Sequence, residues 1–505
     1  MYSPRRPSAR SSQPGGQRSG ILCLSLAALL LLALCLCGSS SGAVIQAGAD
    51  LQAAVNGAAP GDTVVVPAGR YSSFSVDRPL TILAGGAYIE VGIQEPAVTI
   101  LSSGVNITGL SILGTPRNPT AKFDYYMERF QPTGRTVESS ALGPGALELN
   151  LPNAAILIKS NGVTLSGVTV KGAEVGVLAR GCSEIDLQGC TFDTCGTGAS
   201  LGQCSDCQVD GCTFLRSTKY GLWAEGARGI NISGCQVQNT THAGFMLKDS
   251  QDCLVEDSVL RENNMGIFLW RTNQSLIRTS TVSQNYYGMV ISESHNNTVI
   301  DNLADDNSRS EIITGFGVGI SLQENSSYNL VLKNRAEGSL NGIELTRNCA
   351  FNVVWGNNIS RNTNGIRLDK NYNNLIYSNN LVGNTVSGYD NQTHNFWNAS
   401  VGNYYSDYRG SDLDGDGIGD QPYVITKGSG EAADSRPLIR PYGGWEPDVA
   451  VLWADLARYA SYDQRNDLPV RIENGGFVIR DSRPRSPPRF QDSPVVERPP
   501  YTPDI

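Results

Sequence analysis

Histidine and methionine are scarce in this sequence, which has three histidines and five methionines among its 505 residues. Soft ligands for a copper ion are therefore sparse. Basic residues are outnumbered by acidic ones, and the formal net charge of −9 argues against a nucleic-acid partner and for an acidic surface. A chain of this length also exceeds the usual size of one globular domain, a limit that a solenoid escapes because its core grows along one axis.

Long apolar runs are lacking except near the N-terminus, where Ile21–Cys37 is almost entirely apolar and follows four arginines and no acid. Ser41, Gly42 and Ala43 supply the small residues of a cleavage site. This pattern predicts a signal peptide over residues 1–43, and hence a secreted or cell-surface protein. The alternative is an uncleaved anchor, because a run of about 17 apolar residues reaches the lower limit for spanning a membrane. Membrane contact is expected only through this segment.

Two short signatures repeat between residues 163 and 391. The first is a glycine followed by an apolar residue, any residue and usually leucine, with its glycines at Gly176, Gly198, Gly221, Gly244, Gly266, Gly288, Gly319, Gly342, Gly365 and Gly388. The step is 22 or 23 residues, apart from one step of 31. The second signature follows each first one and ends in Cys190, Cys212, Cys235, Ser258, Ser280, Asn302, Asn334, Asn357 or Asn379. A fixed period of this size is typical of a stacked repeat architecture.

A unit of about 22 residues is too short for two packed helices, and these units have too few leucines for a leucine-rich repeat. Each unit instead holds two short alternating runs separated by Gly, Asn, Asp and Ser, which is typical of strands and turns. The sequence therefore predicts an all-β fold, a right-handed parallel β-helix in which each repeat forms one turn of a solenoid. Alternation directs the first and third residues after each glycine into the core and the second residue outward.

The residue that ends the second signature changes along the axis from cysteine through serine to asparagine. Stacked asparagines can share amide hydrogen bonds from coil to coil. Nine cysteines follow the predicted signal, an odd number that leaves at least one unpaired. Buried thiols are expected, with a disulfide between Cys182 and Cys204 as the exception. Nine glycosylation triplets permit a glycoprotein, at Asn106, Asn231, Asn239, Asn273, Asn296, Asn325, Asn358, Asn391 and Asn398.

These repeats, together with the entry stretch Leu51–Tyr71 and the exit stretch Asn403–Ile425, resemble a known group. It is the secreted β-helix-repeat proteins of the carbohydrate-binding and sugar-hydrolysis, pectate-lyase-like type, which include the NosD-like family. The resemblance covers roughly residues 45–440. It implies a parallel β-helix whose first coil is covered by a helix, and a carbohydrate partner or, for the NosD name, a role in copper maturation.

The chain is accordingly divided into a β-helix over residues 44–400, a C-terminal cap over 401–440 and a last segment over 441–505. Asp50 is expected to cap a short helix that ends near Gly57 and covers the first coil. Excursions from the period are expected at 115–151 and 306–314, as loops on one face. In the last segment, a short amphipathic stretch from Val449 to Tyr462 precedes a tail rich in Pro and Arg, which is expected to be disordered.

The cap contains an acidic loop whose spacing matches the first part of an EF-hand loop. Side chains are offered by Asp412, Asp414, Asp416 and Asp420, and a backbone carbonyl by Ile418. Position 12 is Tyr423 in place of glutamate, and Asp434 is a candidate for the missing ligand. Clustered carboxylates repel one another without a cation, so the loop predicts a structural Ca²⁺ ion; a solvated acidic turn is the alternative.

The outward position of the repeat forms a second candidate site. It predicts an exposed apolar stripe of Trp223, Met246, Phe268 and Val290, with Trp270 beside it, on which sugar rings could stack. The alternative is that the 115–151 loop covers the stripe. Five residues after each glycine lies a column of charges that predicts a surface ion ladder, namely Asp249, Arg271, Glu293, Glu324, Arg347 and Lys370.

Catalytic motifs of enzymes with this fold are missing. Neither the aspartate trio with Gly-His-Gly and Arg-X-Lys of the hydrolases nor the Asp-Pro-His of the epimerases occurs. Glu293, Glu324, Arg347 and Arg367 approach the acid and base cluster of the lyases without its spacing. The first hypothesis is therefore a secreted, calcium-capped β-helix that binds a polysaccharide or cell-surface glycan without catalysis. The alternatives are a polysaccharide lyase or hydrolase, and a NosD-like copper-maturation accessory protein.

Overall fold

The computed structural model describes residues 42–92, 96–114, 154–308, 317–391, 394–429, 432–443, 448–460, 470–473 and 476–479. In this part of the chain, three parallel sheets of 15, 14 and 14 strands run along one axis. Between the two ends of the solenoid, each strand pairs with the strands three positions earlier and three positions later in the chain, so each turn contributes one strand to each sheet. The predicted right-handed parallel β-helix is confirmed. Most of the excursions 115–151 and 306–314, the signal segment and the Pro- and Arg-rich tail lie outside the described residues.

The three sheets are named A, B and C here. Sheet A consists of Val44–Gln46, Thr63–Val65, Thr81–Leu83, Asn106–Thr108, Val163–Ser166, Ile185–Gln188, Gln208–Asp210, Asn231–Ser233, Leu254–Glu256, Leu276–Arg278, Thr298–Ile300, Leu330–Leu332, Val353–Trp355, Tyr372–Tyr377 and His394–Phe396. Sheet B consists of Gly69–Tyr71, Ala87–Glu90, Ser111–Leu113, Thr169–Lys171, Thr191–Asp193, Thr213–Leu215, Gln236–Gln238, Val259–Arg261, Thr281–Ser283, Leu303–Asp305, Arg335–Glu337, Asn358–Ser360, Asn380–Val382 and Tyr404–Tyr405. Sheet C consists of Phe74–Val76, Val98–Ile100, Ala154–Ile158, Val175–Arg180, Thr197–Gly202, Tyr220–Glu225, Ala243–Lys248, Met265–Trp270, Tyr287–Ser292, Val318–Gln323, Asn341–Thr346, Asn364–Asp369, Val386–Asn391 and Lys427–Gly428. Two antiparallel pairs lie outside these sheets, Tyr423–Val424 with Ala433–Asp434 and Val470–Glu473 with Gly476–Ile479.

The first coil is closed by helix α1, Leu51–Gly57. The carboxylate of Asp50 accepts a hydrogen bond from the backbone N–H of Ala53 at 3.0 Å, which confirms the predicted N-cap. Leu51 and Val55 enter the core. The amide of Gln52 exchanges two hydrogen bonds with the backbone of Ser75, at 2.7 and 3.1 Å, on the first strand of sheet C. The helix therefore buries apolar surface and also satisfies part of an otherwise unpaired strand edge.

The repeat glycines are required by a lack of space. A Cβ atom on Gly266 would lie 2.5 Å from the carbonyl oxygen of Gly288, one coil further along, and one on Gly244 would lie 2.7 Å from the oxygen of Gly266. The same contact recurs from coil to coil, and because a backbone oxygen is among the nearest atoms, no side-chain movement can relieve the clash. On each side of this column, the predicted inward residues Phe245, Ile267 and their equivalents are buried in the core.

Asparagine ladders run through the core as predicted. Asn302, Asn334, Asn357, Asn379 and Asn403 stack in successive coils, and each Oδ1 accepts from the backbone N–H and the side-chain Nδ2 of the asparagine before it, at 2.8–3.1 Å. Each Nδ2 also donates to a backbone carbonyl. A second ladder is formed by Asn297, Asn329, Asn352, Asn374 and Asn395.

The first of these ladders ends on a carboxylate. Asp434 accepts hydrogen bonds from the backbone N–H of Asn403 at 2.6 Å and from the backbone N–H of Arg436 at 2.9 Å. Asp434 is buried, and burial raises the pKa of its carboxyl to about 6. The proposal that Asp434 closes the acidic loop is therefore wrong, because its carboxylate already serves the end of the core.

Helix α2, Val449–Ala460, covers part of the outer face of sheet A. This helix is the amphipathic stretch that the sequence predicted. Leu452, Trp453 and Leu456 pack in one cluster with outward side chains of sheet A, among them Leu330, Leu332, Val353 and Trp355, and with Phe351 in the turn before that last strand. The hydroxyl of Tyr377 donates to the carboxylate of Asp455 at 2.9 Å. No helix in the described part of the chain is long and apolar enough to cross a membrane.

All nine cysteines of the described residues are free and buried. The predicted disulfide between Cys182 and Cys204 is absent, so that expectation is wrong, while the expectation of buried thiols is confirmed. Burial raises the pKa of Cys195 and Cys253 to about 11. These thiols therefore act as small apolar residues that fill the solenoid interior, eight of them between Cys182 and Cys253.

Replacing a repeat glycine by alanine tests the packing argument. We expect Gly266→Ala to lower the free energy of unfolding by about 3 kcal/mol or more, because the added methyl group meets backbone that cannot relax. The matched control is Gly202→Ala in the same sheet, where the nearest atom to the new methyl group is a flexible side-chain carbon of Arg180 at 3.6 Å. Denaturant unfolding followed by circular dichroism measures both. Equal losses from the two variants would refute the argument.

The asparagine ladder makes a second expectation measurable. Asn357→Ala removes one rung and leaves the buried backbone N–H of Asn334 and the carbonyl of Val331 without their partner, which we expect to cost about 2–4 kcal/mol. The neighbouring Asn358→Ala removes an exposed amide and should cost less than about 1 kcal/mol. Hydrogen exchange should show the loss concentrated in the coils next to residue 357, because a solenoid is stabilised by nearest neighbours. Uniform loss over all coils would contradict this.

Candidate functional site

The outer face of sheet C is the broadest side-chain surface of the repeat. Its central strands are six residues long, whereas those of sheets A and B are mostly three. Each strand therefore points three side chains away from the core, from the residue before the glycine and from the second and fourth residues after it. In the strand Ala243–Lys248 these are Ala243, Met246 and Lys248, while Phe245 and Leu247 belong to the core.

Apolar side chains on this face form a separate cluster outside the core. Met246, Phe268 and Val290 are 2%, 7% and 3% exposed. The prediction that these three are exposed is therefore wrong. Tyr220, Met265, Trp270 and Tyr287 pack against them. Tyr220, Met265 and Tyr287 each directly precede a repeat glycine. The sequence prediction did not consider that position. The predicted cover by the 115–151 loop lies outside the described residues.

Trp223 and Trp270 are the half-buried aromatic residues of the predicted stripe. The Lys248 ammonium lies between them, 6.0 Å from the ring centre of Trp223 and 5.3 Å from that of Trp270. The Arg271 guanidinium carbon lies 4.4 Å from the Trp270 ring, and the indole Nε1 of Trp270 donates to Glu293 at 2.9 Å. Such cation–π contacts fix the ring orientations. The structure thus brings the two tryptophans to one polar, cation-bearing patch.

The predicted ion ladder is present at two of its steps. Arg271 pairs with Asp249 at 2.5 Å, and Arg347 pairs with Glu324. All six ladder residues adopt a left-handed backbone with φ between 48° and 59°. That conformation turns the chain out of sheet C and is uncommon for residues other than glycine and asparagine. Each ion pair is half exposed and adds little stability by itself.

Glu344 and Arg367 form a buried polar group next to the apolar cluster. Glu344 is 9% exposed, accepts a hydrogen bond from Asn341, and lies 3.7 Å from Arg367. Arg367 also pairs with Asp369 at 2.8 Å and lies over the Tyr389 ring. Burial raises the pKa of the Glu344 carboxyl above its usual range, and Arg367 opposes that rise. Sequence reasoning placed Glu344 in the outward column but did not identify it as a site residue, since its burial depends on neighbours in other coils.

The acidic loop of the C-terminal cap brings three of its four carboxylates together. Oxygens of Asp412, Asp414 and Asp416 lie within 4.8 Å of one another. The carboxylate of Asp420 instead accepts from the backbone N–H of Leu413 at 2.8 Å and from Ser411. Ile418 pairs in an isolated bridge with Leu438, which in turn bridges Tyr404 in the last strand of sheet B. The loop is thereby connected to the end of the solenoid. The donor set fits a hard cation such as Ca²⁺, with three close carboxylates and room for water.

Possible copper ligands do not cluster in the described part of the chain. Among the described residues, this aspartate trio is the only group of three or more histidine, cysteine, aspartate or glutamate side chains at metal-ligand distance. Burial lowers the pKa of His242 and of His295 to about 4. Both imidazoles are therefore neutral, but they belong to different turns of the solenoid, next to strands Ala243–Lys248 and Thr298–Ile300.

Comparison with known families agrees with this architecture. The family described as right handed beta helix region matches residues 154–304, and the family described as periplasmic copper-binding protein (NosD) matches residues 239–410. No curated protein matches the chain. The chain is thus a right-handed parallel β-helix repeat protein. Over its second half it carries repeats similar to those of the NosD type.

Solved structures with a similar course of the chain share little sequence with it. The Dettilon tailspike protein is 16% identical, with 59% of this chain and 61% of that chain covered and a TM-score of 0.47. The periplasmic alginate epimerase AlgG is 14% identical, with 65% of this chain and 82% of that chain covered and a TM-score of 0.42. The family 28 exopolygalacturonase of Yersinia enterocolitica is 12% identical, with 69% of this chain and 79% of that chain covered and a TM-score of 0.40.

Proposed function

We propose that this chain binds a polysaccharide on the outer face of sheet C, outside the cytoplasm, and that it does so without cleaving the polymer. The observation that supports this most directly is the pair of half-buried tryptophans, Trp223 and Trp270, with Lys248 between them. Aromatic rings flanked by a few placed polar groups are typical of ligand sites. A face that repeats every coil, at about 4.8 Å, also suits a ligand that repeats along its length.

Cleavage of the polysaccharide is the second candidate, and one observation favours it. Glu344, whose pKa is raised by burial, and Asp369 both contact Arg367. Two carboxyl groups in different environments are the requirement for general acid–base hydrolysis of a glycosidic bond. In that case Glu344 would donate the proton to the leaving oxygen. The copper-maturation alternative has no comparable support among the described residues.

The acidic loop is proposed to hold Ca²⁺ as a structural ion. Asp412, Asp414 and Asp416 would supply the ligand oxygens, with water in the remaining positions. The ion would neutralise three carboxylates that otherwise repel one another. It would thereby stabilise the last coil, which the loop contacts through Ile418 and Leu438.

Removing the indole rings tests the binding proposal. We expect Trp270→Ala and Trp223→Ala to weaken binding to an immobilised polysaccharide about 10-fold or more each, because a buried aromatic contact contributes roughly 1.5 kcal/mol or more. Tyr88→Ala is the matched control, since Tyr88 is a half-buried aromatic on the outer face of sheet B. Isothermal titration calorimetry and affinity electrophoresis measure the change.

The same incubations are read for new reducing ends and for unsaturated products. Binding without product supports the proposal. Product that disappears in Glu344→Gln would replace it with the hydrolytic alternative. Equal loss of affinity in Tyr88→Ala and Trp270→Ala would show that the tryptophans act only through stability, and the proposed site would be wrong.

Calcium addition tests the cap. We expect millimolar Ca²⁺ to raise the free energy of unfolding by about 1–3 kcal/mol, as a ligand bound only by the folded state does. Asp414→Asn should abolish most of this gain, whereas Asp257→Asn, which changes an exposed aspartate far along the solenoid, should keep it. Thermal unfolding with Ca²⁺ or EDTA, and terbium luminescence, provide the measurements. An unchanged midpoint in the native chain would leave the loop as a solvated acidic turn.

A further inference from the structure

Four cationic side chains on or beside the outer face of sheet C are paired with neighbouring carboxylates. We infer that the polysaccharide bound there is a neutral one, and that polyuronates and other polyanions are excluded. This inference rests on the proposed function, since it names the chemical class of ligand for the same site.

The pairing follows the columns of the sheet. Lys248 pairs with Glu225 at 2.5 Å in the fourth position after the glycine, where consecutive coils place the two side chains in register. In the turn that follows, Arg271 pairs with Asp249 at 2.5 Å, and Arg347 pairs with Glu324. Near the end of the face, Arg367 pairs with Asp369 at 2.8 Å. Four cations along the face are thus neutralised by groups one coil away or on the same strand.

Two of these cations, Arg271 and Arg367, also contact aromatic rings. Arg271 lies over the Trp270 ring and Arg367 lies over the Tyr389 ring, at 4.4 and 5.1 Å from the ring centres. Bidentate binding of a ligand carboxylate needs the free fork of a guanidinium. Arg271 donates to Asp249 from Nε and Nη2, and Arg367 donates to Asp369 from Nη2, while both guanidinium planes lie over aromatic rings. A uronate that approaches either guanidinium competes with the carboxylate already paired there, so it gains little net attraction.

Carboxylates are in slight excess around the two tryptophans, where Glu225, Asp249 and Glu293 lie with Lys248 and Arg271. Glu293 accepts the indole N–H of Trp270, and Glu344 is buried beside Arg367 and Asn341, which also lies on this face. Lys370, in the turn after Asp369, is exposed and forms no ion pair with the described residues. The local charge is therefore close to zero or negative, and it gives no attraction to a polyanion. Hydroxyl groups can still bind to the paired residues, because ion-paired carboxylates keep free lone pairs.

The experiment measures binding of the whole chain to matched polymers. Hydroxyethyl cellulose is compared with carboxymethyl cellulose, and neutral galactan, mannan and xylan with polygalacturonate and alginate. We expect at least one neutral polymer to bind about 10-fold or more tightly than every charged one, with an affinity that varies less than about 2-fold between low and high salt.

Charge variants provide the second arm. Glu225→Gln combined with Glu324→Gln removes the closest carboxylate partners of Lys248 and Arg347, and we expect it to create salt-sensitive binding of carboxymethyl cellulose or polygalacturonate. Asp252→Asn combined with Glu256→Gln is the matched control, because it removes carboxylates that pair with Arg228 and Arg278 near sheet A and changes the net charge equally. Charged-polymer binding in the first variant alone supports the inference.

Each outcome decides one claim. Tighter binding of a polyanion by the native chain, weakened by salt and by Trp270→Ala, overturns the inference and leaves the proposed function standing. Binding of no polymer overturns the proposed function itself. Equal gain of polyanion binding in both charge variants would show a general charge effect, and the inference about this face would be wrong.

Discussion

Hydrogen bonding between the backbones of adjacent coils is the interaction on which this structure depends. It holds every coil about 4.8 Å from the next, and that distance restricts which residues a given position can hold along many coils. At the glycine column, the carbonyl oxygen of the next coil occupies the space of a Cβ atom, as Gly244, Gly266 and Gly288 show. At the asparagine columns, the same spacing lets one amide satisfy two donors and one carbonyl. Both columns therefore follow from the same coil spacing. Glycine fits because it has no side chain, and asparagine fits because its amide bridges adjacent coils.

Such positions were predictable from sequence because their environment repeats. The period located Gly266 and its equivalents, the inward Phe245 and Ile267, and the change from Cys235 to Asn302 without any knowledge of distant contacts. The ion pair of Asp249 with Arg271 was predictable for the same reason, since residues one period apart lie side by side. Asp50 was recognisable as a helix cap because capping is local, involving only residues three apart.

Features that depend on unequal neighbours were not predictable. Met246 is buried although it points away from the core, because Tyr220, Met265 and Tyr287 fill the neighbouring column of the same sheet. Asp434 ends an asparagine ladder, although its spacing from the acidic loop suggested a metal ligand. The burial of Glu344 and its contact with Arg367 join residues from two coils that no local motif connects. In each case the environment of a side chain is set by residues at other positions of the repeat. The residues in its own column therefore do not predict that environment.

The three outer faces differ in what they present to solvent, and this difference favours sheet C as the proposed ligand site. Helix α2 covers part of sheet A near Leu330 and Trp355, so that part of the surface is already used for folding. Sheet B has strands of mostly three residues and presents two outward side chains per coil. Only the six-residue strands of sheet C present three, which is enough for an apolar column beside a charged one. Opposite charges pair at some steps of the charged column, as Asp249 and Arg271 do, whereas Glu293 and Glu324 are like charges one coil apart. The solenoid geometry therefore brings both signs of charge together beside this face. Under the binding proposal, such a face would select ligands by shape and hydroxyl pattern more than by charge.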